Sequence, residues 1–543
     1  MTSPLSLYDT TLRDGQQTQG VQFTAAEKVE IAQMLDALGV DYIEGGWPGA
    51  NPTDSDFFAA APQTRATMTA FGMTRRAGRS AGNDDVLAAV LDARTPAVCL
   101  VGKTHDYHVR EALGVSLDEN LDSIAASVAH VVAQGREAIF DAEHFFDGYA
   151  ANPGYALDCL CAARDAGARW IVLCDTNGGT LPDRIGAVTA EVIAAGIPGD
   201  RLGIHCHDDT GNAVAGSLAA VAAGARQVQG TLNGLGERCG NASLTTLIPT
   251  LLLKEPYAST LRTGVGHGAL ADLTRISRRL DEILNRVPDR AAPYVGASAF
   301  AHKAGLHASA ILKAPQTYEH VDPATVGNER VIPMSNQAGQ SNLRARLAGA
   351  GIAVAPGDPA LARILAVVKE REDQGYAYDS AQASFELLAR AELDQLPRFF
   401  EVERYRVTVE RRMNARGHRI SVSEAVVVVR IGDQRVMSVS DSGGSGEDAG
   451  PVNALWRALA KDLGPWQASI DGMALTDFRV RIIGAGTDAV TRVIIDSADG
   501  AGRSWSTVGV SANIVDASFE ALVDAIRWKL VRDGAGSGPG LTS

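Results

Sequence analysis

The sequence has no run of about 20 consecutive apolar residues, the length that a membrane-spanning helix needs. It also has no excess of basic residues, because 50 Lys and Arg stand against 64 Asp and Glu, for a formal net charge of −14. Nucleic-acid binding needs basic patches, so neither a nucleic acid nor a membrane is expected as a partner. The N-terminus has no basic stretch followed by an apolar core, so we expect no signal peptide and a cytoplasmic location.

Cysteine is scarce as well, and its spacing carries no metal or redox motif. The 543 residues contain six cysteines with no C-x-x-C pair, at Cys99, Cys159, Cys161, Cys174, Cys206 and Cys239. Most of them lie in apolar runs. We therefore expect buried, reduced thiols.

Residues 1–282 alternate short apolar runs with amphipathic helical patterns, which is typical of parallel βα units. Eight strands are predicted near Leu5, Tyr42, Thr67, Val98, Ile139, Ile171, Ile204 and Val228. Eight strands at such intervals fit a closed (β/α)8 TIM barrel better than an open sheet. The first helix is predicted to begin after Thr24, with Glu27 completing a capping box.

Two further regions follow, since 543 residues are too many for a single ordinary domain. Residues 283–398 are predicted to connect the domains through small helical subdomains. Residues 399–532 are predicted to form an α+β domain in which a βββα unit occurs twice, with Val452 aligned to Val515 and Trp456 to Phe519. The Gly-rich tail, 533–543, is expected to be disordered.

Polar residues recur at the predicted C-terminal ends of the first eight strands. In a TIM barrel this end holds the active site. Because so many ends carry a polar side chain, we expect them to converge on one site: Asp9, Asp14, Glu44, Glu143, Asp175, His205, His207 and Asn233.

A metal site is predicted within this set. His205 and His207 are two residues apart at a strand end, so both imidazoles point to the same face and form a natural pair of metal ligands. Asp14 lies after the first strand, next to strands seven and eight once the barrel closes, and Asn241 could complete the set. Nitrogen ligands combined with oxygen ligands suit Mg²⁺, Mn²⁺ or Zn²⁺.

Two charged residues are candidates for catalysis. Arg13, beside Asp14, is suited to stabilise an oxyanion, and the alternative is a structural salt bridge inside the barrel. Glu143 follows the fifth strand and is suited to act as a base or to orient one. The alternative for Glu143 is that it only pairs with a cation.

Three motifs together resemble the signatures of the DRE-TIM metallolyase family, which includes the isopropylmalate, homocitrate and citramalate synthases and hydroxymethylglutaryl-CoA lyase. They are L-Y-D-T-T-L-R-D-G at 7–15, H-C-H-D-D at 205–209 and N-G-L-G-E-R-C-G-N-A at 233–242. Their order and spacing match the family over nearly the whole chain. The duplicated C-terminal units resemble the regulatory domain of the isopropylmalate and citramalate synthases, which the lyase lacks.

The resemblance implies a role for each matching position. Asp14, His205 and His207 match the metal ligands, with Asn241 as a further metal-site residue. Arg13 matches the arginine that supports the enolate and substrate oxygens, Glu143 the catalytic glutamate, and Thr176 a threonine near the substrate carboxylate. His307 and Tyr318 match a catalytic histidine and tyrosine that reach the barrel of a partner subunit, which implies a homodimer.

The segments 45–54, 101–113 and 173–182 resemble the long citramalate synthases more than the isopropylmalate synthases. The resemblance implies condensation of acetyl-CoA with pyruvate and regulation by a branched-chain amino acid, with isoleucine as the first candidate. Two alternatives stay open: 2-oxoisovalerate as the acceptor, because a pocket discriminates by only about 1–3 kcal/mol per methylene, and a lyase or aldolase on the same barrel.

Overall fold

The computed structural model describes residues 2–60, 62–303, 305–332, 340–413, 419–443, 450–483 and 489–537. The chain divides into two compact units. One comprises residues 1–300 and 320–330, and the other residues 301–319 and 331–543. The last six residues of the predicted disordered tail lie outside the described residues.

The first unit is built on a closed barrel of eight parallel strands in sequence order, with the first strand pairing with both the second and the eighth. This confirms the predicted TIM barrel and each of its eight strands. The strands are β1 (Ser6–Asp9), β2 (Tyr42–Gly46), β3 (Thr67–Met73), β4 (Ala97–Lys103), β5 (Glu137–Glu143), β6 (Trp170–Asp175), β7 (Leu202–Cys206) and β8 (Gln227–Gly230).

At least one helix follows each strand, as parallel pairing of neighbouring strands requires, and the strand Glu137–Glu143 is followed by a short helix, Phe145–Ala151, before its main helix. The helices are α1 (Ala25–Leu38), α2 (Pro52–Ala59), α3 (Asp85–Asp92), α4 (Leu117–Ala133), α5 (Pro153–Asp165), α6 (Pro182–Ala194), α7 (Ala213–Ala223), α8 (Leu244–Leu253) and, beyond the barrel, α9 (Leu273–Ile283). The capping box predicted at the start of α1 is present, because Thr24 and Glu27 each accept from the other's backbone N–H.

The barrel unit corrects the expectation for the cysteines. Four of the six are buried, but Cys161 is half-buried and Cys239 is exposed. Cys239 lies in a loop between Arg238 and Gly240, both of which have positive φ.

Among the described residues, none of the helices has the length and apolarity needed to cross a membrane.

The second unit begins with helices and ends in two sheets. Its helices are α10 (Gly305–Lys313), α11 (Gln340–Gly349), α12 (Pro359–Asp373), α13 (Gln382–Glu392), α14 (Pro451–Leu459) and α15 (Ile514–Arg532). Leu343, Leu361, Ile364 and Phe385 from α11, α12 and α13 share one apolar core with Val508.

The predicted duplication is confirmed by two antiparallel three-stranded sheets, each covered by one helix. The first consists of β9 (Glu401–Met413), β10 (Arg419–Ile431) and β11 (Gln434–Gly443), and α14 packs on β10 and β11. The second consists of β12 (Ala474–Ile483), β13 (Val490–Ala498) and β14 (Ser504–Ser511), and α15 packs on β13 and β14.

Candidate active site

The predicted metal-binding residues meet at the C-terminal end of the barrel. One ligand atom from each of Asp14, His205 and His207 lies within 4.8 Å of the other two, and all three residues are buried. His205 Nε2 is 3.3 Å from Asp14 Oδ2. His207 forms a backbone bridge with Asn241, which brings the fourth predicted residue beside the same site.

The donor atoms at this site fit a divalent cation. Asp14 Oδ1, His207 Nδ1 and Asn241 Oδ1 are buried and have no hydrogen-bond partner among the described residues. Buried polar atoms are normally paired, so three such atoms on neighbouring side chains call for an electron-pair acceptor. Two imidazole nitrogens with a carboxylate and an amide oxygen form a donor set that suits Mg²⁺, Mn²⁺ or Zn²⁺.

The protonation states of His207 and Asp14 favour ligation too. Burial and the charge of His205 lower the pKa of His207 to about 4, so this imidazole is neutral at pH 7. Burial alone would raise the pKa of Asp14, but Arg13 and the hydrogen bond with His205 outweigh it and hold that pKa far below its usual range. Metal ligation needs neutral imidazoles and ionised carboxylates, and His207 and Asp14 meet this condition. Burial alone would lower the pKa of His205, but Asp14 and Asp141 raise it, so binding of a cation would release the proton of this imidazole.

A glycine brings Asn241 into position. Gly236 has a φ of +155°, and a methyl group there would lie 2.2 Å from Asn241 Nδ2. The same Nδ2 donates to the carbonyl oxygen of Leu235 at 3.0 Å, which leaves Oδ1 as the free atom of the carboxamide. The glycine therefore allows the close approach that orients Asn241.

Arg13 is fixed between two carboxylates and an aromatic ring. Its Nε is 2.6 Å from Glu44 Oε2, its Nη1 is 3.3 Å from Asp14 Oδ2, and the guanidinium lies 3.9 Å from the ring centre of Phe71. Tyr8 donates to the other oxygen of Glu44 at 2.8 Å. Burial alone would lower the pKa of Arg13, but Glu44 and Asp14 raise it, so the cation is permanent. Arg13 therefore forms the structural salt bridge and also keeps the positive charge that could stabilise an oxyanion.

Glu143 is paired with Lys103, a residue that lies outside the three motifs. Its Oε2 is 2.6 Å from Lys103 Nζ, across the pairing of β4 with β5. Both residues line a cavity of about 240 Å³ that also contacts Thr74, Arg75 and Leu113. Glu143 therefore has a cation partner and a space for a small group beside it.

Thr176 and Arg238 connect the loops around the site. Thr176 Oγ1 accepts from the backbone N–H of His144 at 2.9 Å. Arg238 donates to both carboxylate oxygens of Asp209, at 2.8 and 2.9 Å, and to the carbonyl oxygen of Thr176 at 2.7 Å. The loops after β6, β7 and β8 are thereby held together, a function of Arg238 that its place in the third motif does not reveal.

His307 and Tyr318 belong to the second unit. Their rings stack with centroids 4.1 Å apart. The side chain of His307 is exposed, and that of Tyr318 is 43% exposed. The structure thus brings this pair together as one exposed patch, and its action at the barrel of a partner subunit stays a prediction.

Three of the polar residues that were expected to converge on the site form hydrogen bonds with residues of their own turn or of a nearby helix. Asp9 accepts from the backbone and hydroxyl of Thr11, and Asp175 accepts from the backbone and hydroxyl of Thr180. Asn233 has a positive φ and turns its side chain toward α9, where it contacts Ser277 and Asp281. The prediction that Asn233 points into the site is therefore wrong, because the local turn directs its side chain toward α9 although the residue follows a strand.

Three family models match successive parts of the chain. A model described as HMGL-like matches residues 4–276, one described as homocitrate synthase post-HMGL domain-like matches 294–376, and one described as LeuA allosteric (dimerisation) domain matches 379–530.

Relatives cover the chain almost from end to end. An (R)-citramalate synthase of Synechocystis sp. is 47% identical over 97% of this chain and 96% of its own length. That of Streptomyces coelicolor is 46% identical over 97% of both. A probable 2-isopropylmalate synthase of Methanopyrus kandleri is more distant, at 33% identity over 97% of this chain and 98% of its own length. The resemblance predicted from the three motifs is confirmed: the chain belongs to the (R)-citramalate synthase family of HMGL-like enzymes.

Proposed function

We propose that this enzyme joins acetyl-CoA to pyruvate and hydrolyses the product to (R)-citramalate and free CoA. The observation that carries the proposal is the buried Asp14, His205 and His207 cluster beside Arg13, in a chain 40–47% identical to several (R)-citramalate synthases. Acetyl-CoA, pyruvate and water are consumed, and citramalate, CoA and a proton are formed.

The metal site is part of this proposal. Asp14, His205, His207 and Asn241 would hold a divalent cation, with Mg²⁺, Mn²⁺ and Zn²⁺ as candidates. Bound there, the cation supplies Lewis acidity toward the keto oxygen of a 2-oxo acid.

The remaining chemistry falls to side chains around this site. Glu143 takes a proton from the acetyl methyl group, and Lys103, at 2.6 Å, orients the carboxylate. Arg13 faces the oxygen that gains negative charge when the carbon–carbon bond forms. Thr176 contacts the substrate carboxylate in this proposal. His307 and Tyr318, supplied by a second subunit, assist Glu143 and position the water that cleaves the thioester.

A thiol-release assay tests the proposal. Wild-type enzyme reconstituted with metal is expected to release CoA from acetyl-CoA only when pyruvate is present, and Asp14→Ala is expected to abolish the release. Near-wild-type turnover by Asp14→Ala in chelator-treated buffer would overturn the metal assignment. Cleavage of citramalyl-CoA without any condensation would favour a lyase instead.

We further propose that the C-terminal domain binds a branched-chain amino acid, with isoleucine as the first candidate. A cavity of about 570 Å³ receives the first residues of both α14 and α15, including Val452 and Val515. Two helix N-termini favour a carboxylate, while Asp477 and Phe478 in the same wall suit an ammonium group and an apolar side chain. Activity that falls across an isoleucine titration supports regulation. A flat response to both isoleucine and leucine would leave the domain a dimerisation module.

A further inference from the structure

Gln229 lies between a proposed metal ligand and a buried carboxylate. It is the cross-strand partner of His205 in the pairing of β7 with β8. Its Oε1 is 2.8 Å from His205 Nδ1, and its Nε2 donates to Asp141 Oδ1 at 3.0 Å. All three side chains are buried. The carboxamide therefore links β5 to β7 through the interior of the barrel.

The direction of these two bonds decides where the proton of His205 lies. Because Asp141 is an acceptor, Gln229 turns its amino group toward Asp141 and presents only its carbonyl oxygen to His205. That oxygen needs a donor, so the proton is on Nδ1 of His205. When this imidazole is neutral, as metal ligation requires, its lone pair is therefore on Nε2, the nitrogen that lies 3.3 Å from Asp14 Oδ2.

We infer that Asp141 and Gln229 form a positioning pair that holds His205 in the one tautomer and ring orientation able to ligate a divalent cation. The inference rests on the metal site proposed above. Groups that orient a ligand histidine in this way commonly change metal affinity by about 10–100-fold when removed. Neither residue has a direct part in the proposed chemistry, so their effect is expected to reach it through His205.

The neighbouring Gln227 provides a matched control. It is the same residue type, in the same strand and two positions earlier, and it is also fully buried. Neither polar atom of its side chain has a hydrogen-bond partner in the described parts of the chain. Gln227→Leu therefore removes an interior carboxamide without touching His205, while Gln229→Leu removes the acceptor for Nδ1.

The test measures Co²⁺ binding to the full-length protein by competition with a chelating indicator, together with the visible absorption spectrum of the Co²⁺-loaded protein. Gln229→Leu is expected to weaken Co²⁺ binding by about 10–100-fold and to change the spectrum. Asp141→Leu is expected to change both in the same direction, because it frees the Gln229 amide to turn. Gln229→Glu keeps an acceptor and is expected to bind more tightly than Gln229→Leu, and Gln227→Leu is expected to match wild type.

Wild-type affinity and spectrum in both Gln229→Leu and Asp141→Leu would overturn the positioning role while leaving the metal site intact. Equal losses in Gln227→Leu and Gln229→Leu would also overturn it, because any interior carboxamide would then serve. A wild-type protein that binds no Co²⁺, or an Asp14→Asn variant that binds as tightly as wild type, would remove the metal site and the inference together. If Gln229→Leu does not fold by circular dichroism, Asp141→Leu and Gln229→Glu still carry the comparison.

Discussion

At the scale of single residues, the ligand set was predictable and its supports were not. His205 and His207 are two apart in a strand, so alternation alone puts them on one face. Lys103 and Gln229 carry no such signal, because each acts on a residue of another strand, at 2.6 Å and 2.8 Å respectively. Only the strand register shows these partners.

Arg13 gives the first prediction at this scale. Arg13→Lys keeps the positive charge between Glu44 and Asp14 but loses the planar fork that reaches both. We expect kcat/KM for CoA release to fall by about 100–1000-fold, with little change in thermal stability. The control is Arg169→Lys, whose guanidinium also lies 3.9 Å from an aromatic ring, that of Trp170, at the opposite end of the barrel. Equal losses in the two variants would contradict a role for Arg13 in the chemistry.

Asp524 gives a pH-dependent prediction in the C-terminal domain. Burial raises the pKa of this carboxyl to about 6, although Ser384 donates to it at 2.8 Å. The folded state thus binds the proton more tightly than the unfolded chain does. The stabilisation from this proton is complete at pH below the ordinary value of about 4 and is lost as the pH rises through about 6.

Asp524→Asn removes this dependence and can still accept from Ser384. We expect the variant to unfold at a higher temperature than wild type at pH 8 and at the same temperature near pH 4, measured by calorimetry. Asp433→Asn, at an exposed position, serves as the control. A difference between Asp524→Asn and wild type that stays constant with pH would contradict the assignment.

At the scale of elements, α1 shows both what periodicity predicts and what it misses. Its start at Thr24 and its buried face of Ile31 and Leu35 follow from the capping box and the helical spacing. Lys28 is buried on the same face, three residues before Ile31, although lysine as a residue type predicts a solvated side chain. It forms an ion pair with Asp54. Tertiary structure supplies that partner, so no local pattern could reveal it.

Lys28 also binds the barrel loops that hold the active site. Its Nζ donates to the carbonyl oxygen of Leu12 at 2.7 Å and to that of Gly45 at 3.1 Å, next to Arg13 and Glu44. Lys28→Met leaves Asp54 buried without its cation, so we expect a loss of about 3–5 kcal/mol in unfolding free energy and reduced activity. Denaturant unfolding measures the loss. Lys254→Met, which removes one hydrogen bond to His320, should cost far less, and equal costs would contradict the account.

At the scale of the whole molecule, the duplicated C-terminal unit was predictable because its two helices align residue by residue. The surface that covers β12, the outer strand of the second sheet, could not be predicted from the sequence. Phe478, Val480 and Ile482 alternate along β12 with 41%, 43% and 70% exposure, an apolar stripe on an edge strand. Such stripes mark association surfaces. The match to a LeuA dimerisation domain supports a homodimer formed through this region.

We expect the double variant Val480→Asp with Ile482→Asp to dissociate that dimer. Light scattering after size-exclusion chromatography should then give one chain mass, 57.0 kDa, in place of twice that value. Val132→Asp, a 40%-exposed apolar position on α4 of the barrel, should leave the dimer intact. A double variant with unchanged mass would place the interface elsewhere.

The measurement that tests the central claim most directly is the rate of CoA release from acetyl-CoA across pyruvate, 2-oxobutyrate and 2-oxoisovalerate, with and without chelator. Metal-reconstituted wild-type protein should show its highest kcat/KM with pyruvate and lose that activity with chelator. If the pocket for the 2-oxo acid fits only a methyl group, each methylene added to the 2-oxo acid should lower kcat/KM by about 10-fold or more. Preference for 2-oxoisovalerate would make the enzyme an isopropylmalate synthase, and activity that persists in chelator would contradict the metal-centred site.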